Sequence, residues 1–183
     1  MPTIKQPLTV ELALLGLVRE QPMHPYEMHQ RLLQRQALGF LWRLKQSHLY
    51  ALLARLEADG YLEHSLEPQG ARPPRKLLRI TPQGQAVFAR WLREPVAHGR
   101  DFRLEFLAKL YFASQDGAAT VSALIERQRE ACRQRMEVLS EQVATLPPDQ
   151  LFERLVVQFR HGQLAATLTW LDSCTQALVA VPV

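Results

Sequence analysis

The sequence has little cysteine and no long apolar run. Its 183 residues include only two cysteines, Cys132 and Cys174, which are far apart and form no Cys-x-x-Cys pair. We therefore expect free, buried thiols rather than a metal or redox site. No run reaches the about 18 apolar residues that indicate a membrane-spanning helix. The N-terminal stretch lacks the features of a secretory signal, so we expect a cytoplasmic protein without a membrane partner.

The sequence also lacks the short motifs that mark common catalytic sites. It contains no Gly-x-Ser-x-Gly elbow, no phosphate-binding Gly-x4-Gly-Lys loop, no Gly-x-Gly-x-x-Gly turn and no His-Glu-x-x-His pair. Its six histidines show no metal-ligand spacing. We therefore predict a protein that is not an enzyme and that holds neither a metal nor a cofactor.

Charge is distributed unevenly along the chain. Residues 1–95 hold thirteen lysines and arginines against eight acidic residues, whereas residues 96–183 hold nine against ten. The positive excess therefore belongs to the first half. A basic half is typical of a domain that binds a polyanion such as nucleic acid, although many basic domains bind nothing acidic.

The N-terminal part predicts three helices followed by two strands. Leu49, Leu52, Leu53 and Leu56 follow the i, i+3, i+4, i+7 spacing of one helix face, and Gly60 suits the left-handed residue that ends a helix. The predicted helices span 8–20, 26–36 and 47–59, and the predicted strands span 61–67 and 75–81, on either side of a proline-rich loop at 68–74.

Helix signals dominate the rest of the chain. Thr81-Pro82 is a capping side chain followed by proline, and it predicts the start of a fourth helix. Residues 102–114 are amphipathic. Residues 118–146 repeat apolar positions about every 3.5 residues among charges, as in a coiled-coil seam. A last helix is predicted at about 150–180.

The stretch EPVAHGRD contains proline, glycine and charge and predicts a domain boundary. We therefore divide the chain into residues 1–95 and 96–183. The predicted fold is mainly α: a winged helix-turn-helix of three helices and a two-stranded wing, followed by an all-helical C-terminal region.

A winged helix-turn-helix explains the crowded polar start of the third helix. The second helix of such a motif places its N-terminal residues against base edges in the major groove. Basic residues of the wing can reach phosphates or the minor groove. The candidate DNA-binding residues are Tyr26, Lys45, Gln46, Ser47, His48, Tyr50, Arg55, Arg72, Arg75 and Lys76.

Plainer interpretations of these residues stay open at this point. Ser47 can simply cap its helix while its neighbours are solvated, and Tyr50 can be a partly buried surface tyrosine. The wing cations can belong to an ordinary solvated loop. Three tryptophans, Trp42, Trp91 and Trp170, are candidates for a pocket that takes a flat ligand, although packing in a core is their more common role.

Several segments, in order, resemble the PadR family of bacterial transcriptional regulators. The N-terminal ones are HPYEMHQRL, GFLWRLKQSHLYALLARLEADGYL and RPPRKLLRITPQG. RDFRLEFLAKLYFA and FRHGQLAATLTWLD are similar to the helical region of the longer members. The chain departs from the family pattern at Pro25, Gln46, Ser47 and Leu78.

The resemblance implies a homodimeric repressor that binds an inverted-repeat operator and is relieved by a small aromatic or phenolic effector. Its C-terminal helices would mediate dimerisation. The candidate dimerisation residues, from the seam and the last helix, are Ile125, Cys132, Leu139, Leu146, Leu155 and Phe159. The alternative is a winged-helix module that binds other proteins without binding specific DNA.

Overall fold

A computed structural model of the chain describes residues 8–34, 37–70 and 72–179. The chain divides between Leu92 and Arg93 into two compact units. Within the described ranges, no helix is long and apolar enough to cross a membrane.

The first unit contains helices and a two-stranded antiparallel sheet, in the predicted order. The elements are α1 (Thr9–Glu20), α2 (Pro25–Leu33), a 3-10 turn (Ala37–Phe40), α3 (Gln46–Ala58), β1 (Leu62–Gln69), β2 (Arg72–Ile80) and α4 (Pro82–Arg93). The predicted helices at 8–20, 26–36 and 47–59 therefore correspond to α1, α2 and α3.

The core of this unit is built from α1 and the leucine face of α3. Every residue of α1 from Glu11 to Val18 is buried, as the apolar residues on all sides predict. The four leucines of α3 are all buried as well. A helix that is apolar on all sides is stable in water only when other elements surround it. Helix α1 therefore lies at the centre of the unit.

Thr81 starts α4 as the sequence predicted. The backbone N–H of Gly84 donates to Thr81 Oγ1 at 3.0 Å, and that hydroxyl donates to the carbonyl of Gly60 at 2.7 Å. The cap thus ties the first turn of α4 to the glycine that follows α3. Gly60 has φ 76°, the left-handed conformation that its position was expected to need.

The wing is longer than the sequence suggested. We predicted a loop over 68–74 because prolines are unfavourable inside a sheet, but β2 begins at Arg72 and includes Pro73 and Pro74. Pro73 and Pro74 fall where the pairing register shifts, between the pairs Glu67–Arg75 and Gln69–Arg72, and prolines are tolerated at such irregularities. The loop prediction was therefore wrong over part of its length.

The sequence places Met28, Leu32 and Leu33 on one side of the second predicted helix, and this prediction is wrong at Leu33. Met28 and Leu32 are buried, but Leu33, expected on the same face, is 54% exposed. It is adjacent to Leu32 in sequence and therefore turns about 100° away from it around the helix.

The second unit is entirely helical among its described residues. It contains α5 (Gly99–Asp101), a π-helical segment (Phe102–Phe106), α6 (Leu107–Gln115), α7 (Ala118–Thr145) and α8 (Leu151–Val179). Helices α7 and α8 form a hairpin, in which Arg129 pairs with Asp172 at 2.5 Å. The predicted helices at 118–146 and about 150–180 agree with these bounds.

Two buried polar side chains fasten the start of this unit. Gln128 on α7 accepts from the backbone N–H of Val96 at 2.7 Å and donates to its carbonyl at 3.3 Å. Lys109 donates to the carbonyl of Glu94 and pairs with Glu105, both at 2.7 Å. Burial lowers the pKa of Lys109. These bonds satisfy groups that would otherwise be costly to bury.

Candidate nucleic-acid interface

The polar start of α3 is exposed, while the rest of the helix is anchored. Lys45 is the N-cap and Gln46 the first helical residue, and the cap makes no side-chain hydrogen bond. Lys45, Gln46, Ser47 and His48 are all exposed. Ser47 lies inside the helix, so the alternative that it serves as the cap does not hold. The N-terminal end of α3 therefore presents four side chains and uncapped backbone N–H groups to solvent.

Four of the candidate DNA-binding residues line one concavity next to this helix. Tyr26 from α2, Tyr50 from α3, and Arg75 and Lys76 from β2 surround a space of about 380 Å³. Tyr26 is 59% exposed and Tyr50 43% exposed. The phenol groups and the cations thus come from three elements to one surface. Phenol hydroxyls and cations are groups that bind phosphate oxygens.

Acidic and imidazole side chains fix the wing beside α3. The Glu57 carboxylate accepts from Lys76 Nζ at 2.8 Å and lies 2.6 Å from His64 Nδ1. His24, at the start of α2, donates from Nδ1 to the carbonyl of Lys76 at 2.8 Å, and its Nε2 lies 3.3 Å from a Glu67 oxygen. The position of Lys76 relative to α3 is therefore set by contacts with two helices.

Arg55, like Lys76, has its charged group paired within the protein. It pairs with Glu11 of α1, whose side chain is only 2% exposed. The hydrogen bond to Glu11 raises the pKa of Arg55. Glu11 also accepts from the backbone N–H of Leu8 at 2.7 Å, at the start of α1. Arg55 thus links α3 to the central helix, and its proposed DNA contact stays a prediction.

Arg72 is the remaining candidate of the wing. Its backbone pairs with Gln69 at the end of the sheet. Its side chain lies outside the described residues.

Sequence reasoning missed the acidic and histidine partners in this region. Glu57 and Lys76 are far apart in sequence, and no local pattern connects them. Glu11 did carry a signal: it is a single carboxylate inside the otherwise apolar run LTVELALLG. A buried carboxylate needs a partner, so that position indicates a cation from elsewhere in the fold.

The three tryptophans belong to two different units of the chain. Trp91 is buried and packs on Phe88 with ring centroids 5.6 Å apart, which is the core role left open above. Trp42 is half-buried in the same unit. Trp170 belongs to the second unit and packs edge-on against Phe102 at 5.8 Å. In the described part of the chain, no group of His, Cys, Asp or Glu is placed to hold a metal ion.

The six candidate dimerisation residues fall into three groups by exposure. Ile125 and Cys132 are buried inside the second unit, so neither offers surface to another subunit in this conformation. Leu139 and Leu146 are half-buried. Leu155 is 63% exposed and Phe159 66% exposed. Of the six candidates, Leu155 and Phe159 on α8 present the most surface to solvent, and the role of this set in dimerisation stays a prediction.

Two family models match consecutive parts of the chain. The transcriptional regulator PadR-like family matches residues 14–90, and the virulence activator alpha C-terminal region matches residues 102–179. The first match covers the helix-turn-helix and the wing. The second covers the π-helical segment, α6, α7 and α8.

Individual proteins show the same likeness. The chain is 27% identical over 105 residues to the negative transcriptional regulator PadR of Bacillus subtilis, covering 57% of each chain. It is 29% identical over 91 residues to the probable transcriptional regulator Rv1176c of Mycobacterium tuberculosis, covering 50% of this chain and 47% of that protein. The chain thus spans about half the length of these curated relatives.

One solved structure is similar to this chain over most of its length. The crystal structure of Bacillus subtilis PadR in complex with operator DNA is 23% identical, with a TM-score of 0.47. The match covers 93% of this chain and 99% of that one.

The three helices and the two-stranded wing define a winged helix-turn-helix protein, as the sequence predicted. Both parts of the chain match models in the order expected for the longer regulators. Residues 14–90 thus form a PadR-like domain, and the chain resembles the longer PadR-like transcriptional regulators, which carry a helical C-terminal region.

Proposed function

We propose that the protein is a homodimeric, sequence-specific DNA-binding repressor that acts in the cytoplasm. The observation that carries the proposal is the surface formed by the exposed start of α3 and the concavity beside it. Residues from α2, α3 and β2 supply phenols and cations there. This surface lies in the part of the chain that holds the positive excess. We assign residues 1–95 to DNA binding and residues 96–183 to dimerisation.

In this proposal, α3 enters the major groove and the wing contacts the backbone. The N-terminal end of α3 is the part that faces base edges in a helix-turn-helix, and it carries Lys45, Gln46, Ser47 and His48. Tyr26, Tyr50 and Arg75 would bind phosphates on either side of the groove, with Lys76 held next to α3 by Glu57. Phosphate contacts fix the position of the protein on DNA, and the α3 contacts select the sequence.

A symmetric dimer would place two such surfaces on an inverted repeat, with the α3 helices about 34 Å apart. The exposed side of α8 supports the dimer. Leu151, Phe152, Leu155 and Phe159 are 66%, 74%, 63% and 66% exposed, and they lie within about 100° of one another around the helix. Such a run of large apolar side chains is unusual on the surface of a monomer.

The sign of regulation is proposed from the curated Bacillus subtilis relative, which is called a negative regulator. Relief of repression by a small aromatic or phenolic effector is proposed from the family resemblance. An effector changes DNA affinity only to the extent that it binds the DNA-competent and the incompetent states unequally.

Two single variants separate base reading from phosphate binding. Arg75→Ala should weaken binding to all duplexes alike. The slope of log affinity against log salt concentration should become shallower by about one, the value of one phosphate contact. Gln46→Ala should instead change the preferred sequence, with a cost of about 1–3 kcal/mol on the best site. Arg90→Ala is the control, because Arg90 is an exposed arginine of α4 outside the concavity. Binding is measured by fluorescence anisotropy across a salt series.

If Arg75→Ala and Gln46→Ala both bind like the Arg90→Ala control, the proposed surface is wrong. If the unmodified protein binds no duplex even at low salt, the winged helix is better explained as a protein-interaction module. That alternative is a different class of function, and this result separates the two.

The dimer is tested by sedimentation velocity. Phe159→Asp places a charge on the exposed apolar side of α8 and should convert the dimer to a monomer. Ser122→Asp adds the same charge at an exposed position of α7 and should leave the dimer intact. If the Phe159→Asp variant dimerises as tightly as wild type, this side of α8 is not part of the dimer interface.

A further inference from the structure

A second concavity lies wholly within the C-terminal unit. It has a volume of about 1030 Å³ and is lined by residues from the start of the unit, from α7 and from α8. Pockets for small organic ligands typically occupy about 300–1000 Å³. The space is therefore large enough for a molecule of that size.

The lining of this concavity is strongly basic. Arg100, Arg103, Arg135 and Arg160 line it together with His98, and no described lining residue is acidic. Arg100 lies 3.7 Å from the neighbouring Asp101. The other three arginines have no ion-pair partner among the described residues. Elsewhere on α7 the pattern differs, because Arg129 and Arg133 both pair with Glu126.

Part of the lining of the concavity is apolar. Phe102 stacks on Phe106 with ring centroids 4.4 Å apart and planes at 9°, which holds its ring in one orientation. Val138, Leu139 and Leu164 complete the apolar lining, and Val138 is 52% exposed. The concavity therefore has an apolar part, formed by an aromatic ring and aliphatic side chains, and a charged part, formed by unpaired guanidiniums.

We propose that this concavity binds a small organic anion with an apolar, ring-sized body. The carboxylate, sulfonate or phosphate of the ligand would be bound by the guanidiniums, which form paired hydrogen bonds with such groups. The body would lie against Phe102 and the aliphatic side chains. A simple inorganic anion would leave the apolar half unused, and a neutral hydrocarbon would leave the arginines unpaired.

The binding step is independent of DNA. The further expectation, that the bound ligand changes the affinity of the protein for DNA, rests on the proposed function. The ligand would act through the hairpin of α7 and α8, since it contacts both helices. The site deepens the effector proposal, because it gives the effector a charge and a location inside one unit.

The probe is 1-anilinonaphthalene-8-sulfonate, an aromatic anion whose fluorescence rises in apolar surroundings. It is titrated into the purified full-length chain without DNA. The double variant Arg135→Gln/Arg160→Gln removes two charges at similar side-chain size. Loss of the paired bonds should weaken binding about tenfold or more. Arg127→Gln, an exposed arginine of α7 outside the lining, is the matched control and should bind like wild type.

Two further measurements guard against misfolding and against binding to other apolar surface. Arg135→Lys keeps the charge but not the paired hydrogen bonds, so its affinity should lie between those of wild type and the double variant. The neutral analogue N-phenyl-1-naphthylamine should bind more weakly than the sulfonate to wild type. The difference in affinity between the two probes should be smaller for the double variant than for wild type.

The proposal is overturned by any of three results. These are equal affinity of the double variant and the Arg127→Gln control, equal binding of the neutral and anionic probes, or conversion of a dimer to a monomer by the arginine substitutions. The last result would mean that the groove serves a subunit contact. Failure of DNA binding alone would remove the regulatory step and leave the ligand site standing.

Discussion

Glu11 and Arg55 hold the candidate reading helix onto the core, and their coupling can be measured. Glu11 on α1 is 2% exposed and accepts hydrogen bonds from both Arg55 and the backbone N–H of Leu8. Glu11→Ala removes the cap contact, worth about 1 kcal/mol. It also removes a charge-assisted pair, worth about 1.5–3 kcal/mol. Because the Arg55 side chain is 40% exposed and can be rehydrated, the lower figure applies. We expect a total loss of about 2–3 kcal/mol.

The pair itself is isolated by a double-mutant cycle. Glu11→Gln keeps an oxygen for the Leu8 N–H, and Arg55→Gln removes the guanidinium without leaving a large cavity. The double variant should be more stable than the sum of the single losses predicts, with a coupling of about 1 kcal/mol. Hydrogen exchange of α1 and α3 in rising urea is the appropriate assay, because a protein of two units need not unfold in one step.

A coupling below about 0.3 kcal/mol would refute this reasoning, since contacting groups in one ion pair normally exceed it. The cycle also tests the DNA role of Arg55. If Arg55 acts only through Glu11, then Glu11→Gln and Arg55→Gln should lower DNA affinity equally. A larger loss for Arg55→Gln would show a direct contact with DNA.

Two further predictions concern packing and the thiols. Gly84→Ala should destabilise the first unit by about 3 kcal/mol, because its Cβ would lie 2.2 Å from the carbonyl oxygen of Tyr61; Gly99→Ala, which meets open space, should be nearly neutral in urea denaturation. Burial raises the pKa of Cys132 and Cys174, so iodoacetamide should alkylate both far more slowly in the native protein than in urea, as followed by mass spectrometry. Their raised pKa contributes stability below the unfolded thiol pKa, and this contribution falls as pH rises through the folded value. Equal Gly84→Ala and Gly99→Ala stabilities, or equal alkylation rates in the two states, would contradict these assignments.

Local pattern was sufficient to predict most helices. The leucine spacing of α3, the Thr81-Pro82 start of α4 and the long apolar repeat of α7 each depend on neighbours within a few turns. For the same reason the prediction failed where pairing decides the structure. Pro73 and Pro74 lie in a strand at a shift of the pairing register, which no local pattern reveals.

The candidate site was predictable residue by residue but not as an arrangement. Tyr26, Tyr50 and Arg75 were each singled out, yet their meeting in one concavity depends on how α2, α3 and β2 pack. The contacts of Glu57 with Lys76 and His64 depend on the same packing. Burial of Ile125 inside the chain was missed because one apolar stripe can face a neighbouring helix or another subunit with the same spacing.

The measurement that tests the central claim most directly is fluorescence anisotropy of the purified chain against two labelled duplexes. One duplex carries the DNA upstream of its own gene, and the other has the same composition in scrambled order. We expect tighter binding to the upstream duplex, with affinity for both falling steeply as salt rises. Absence of binding to either duplex at low salt would contradict the account.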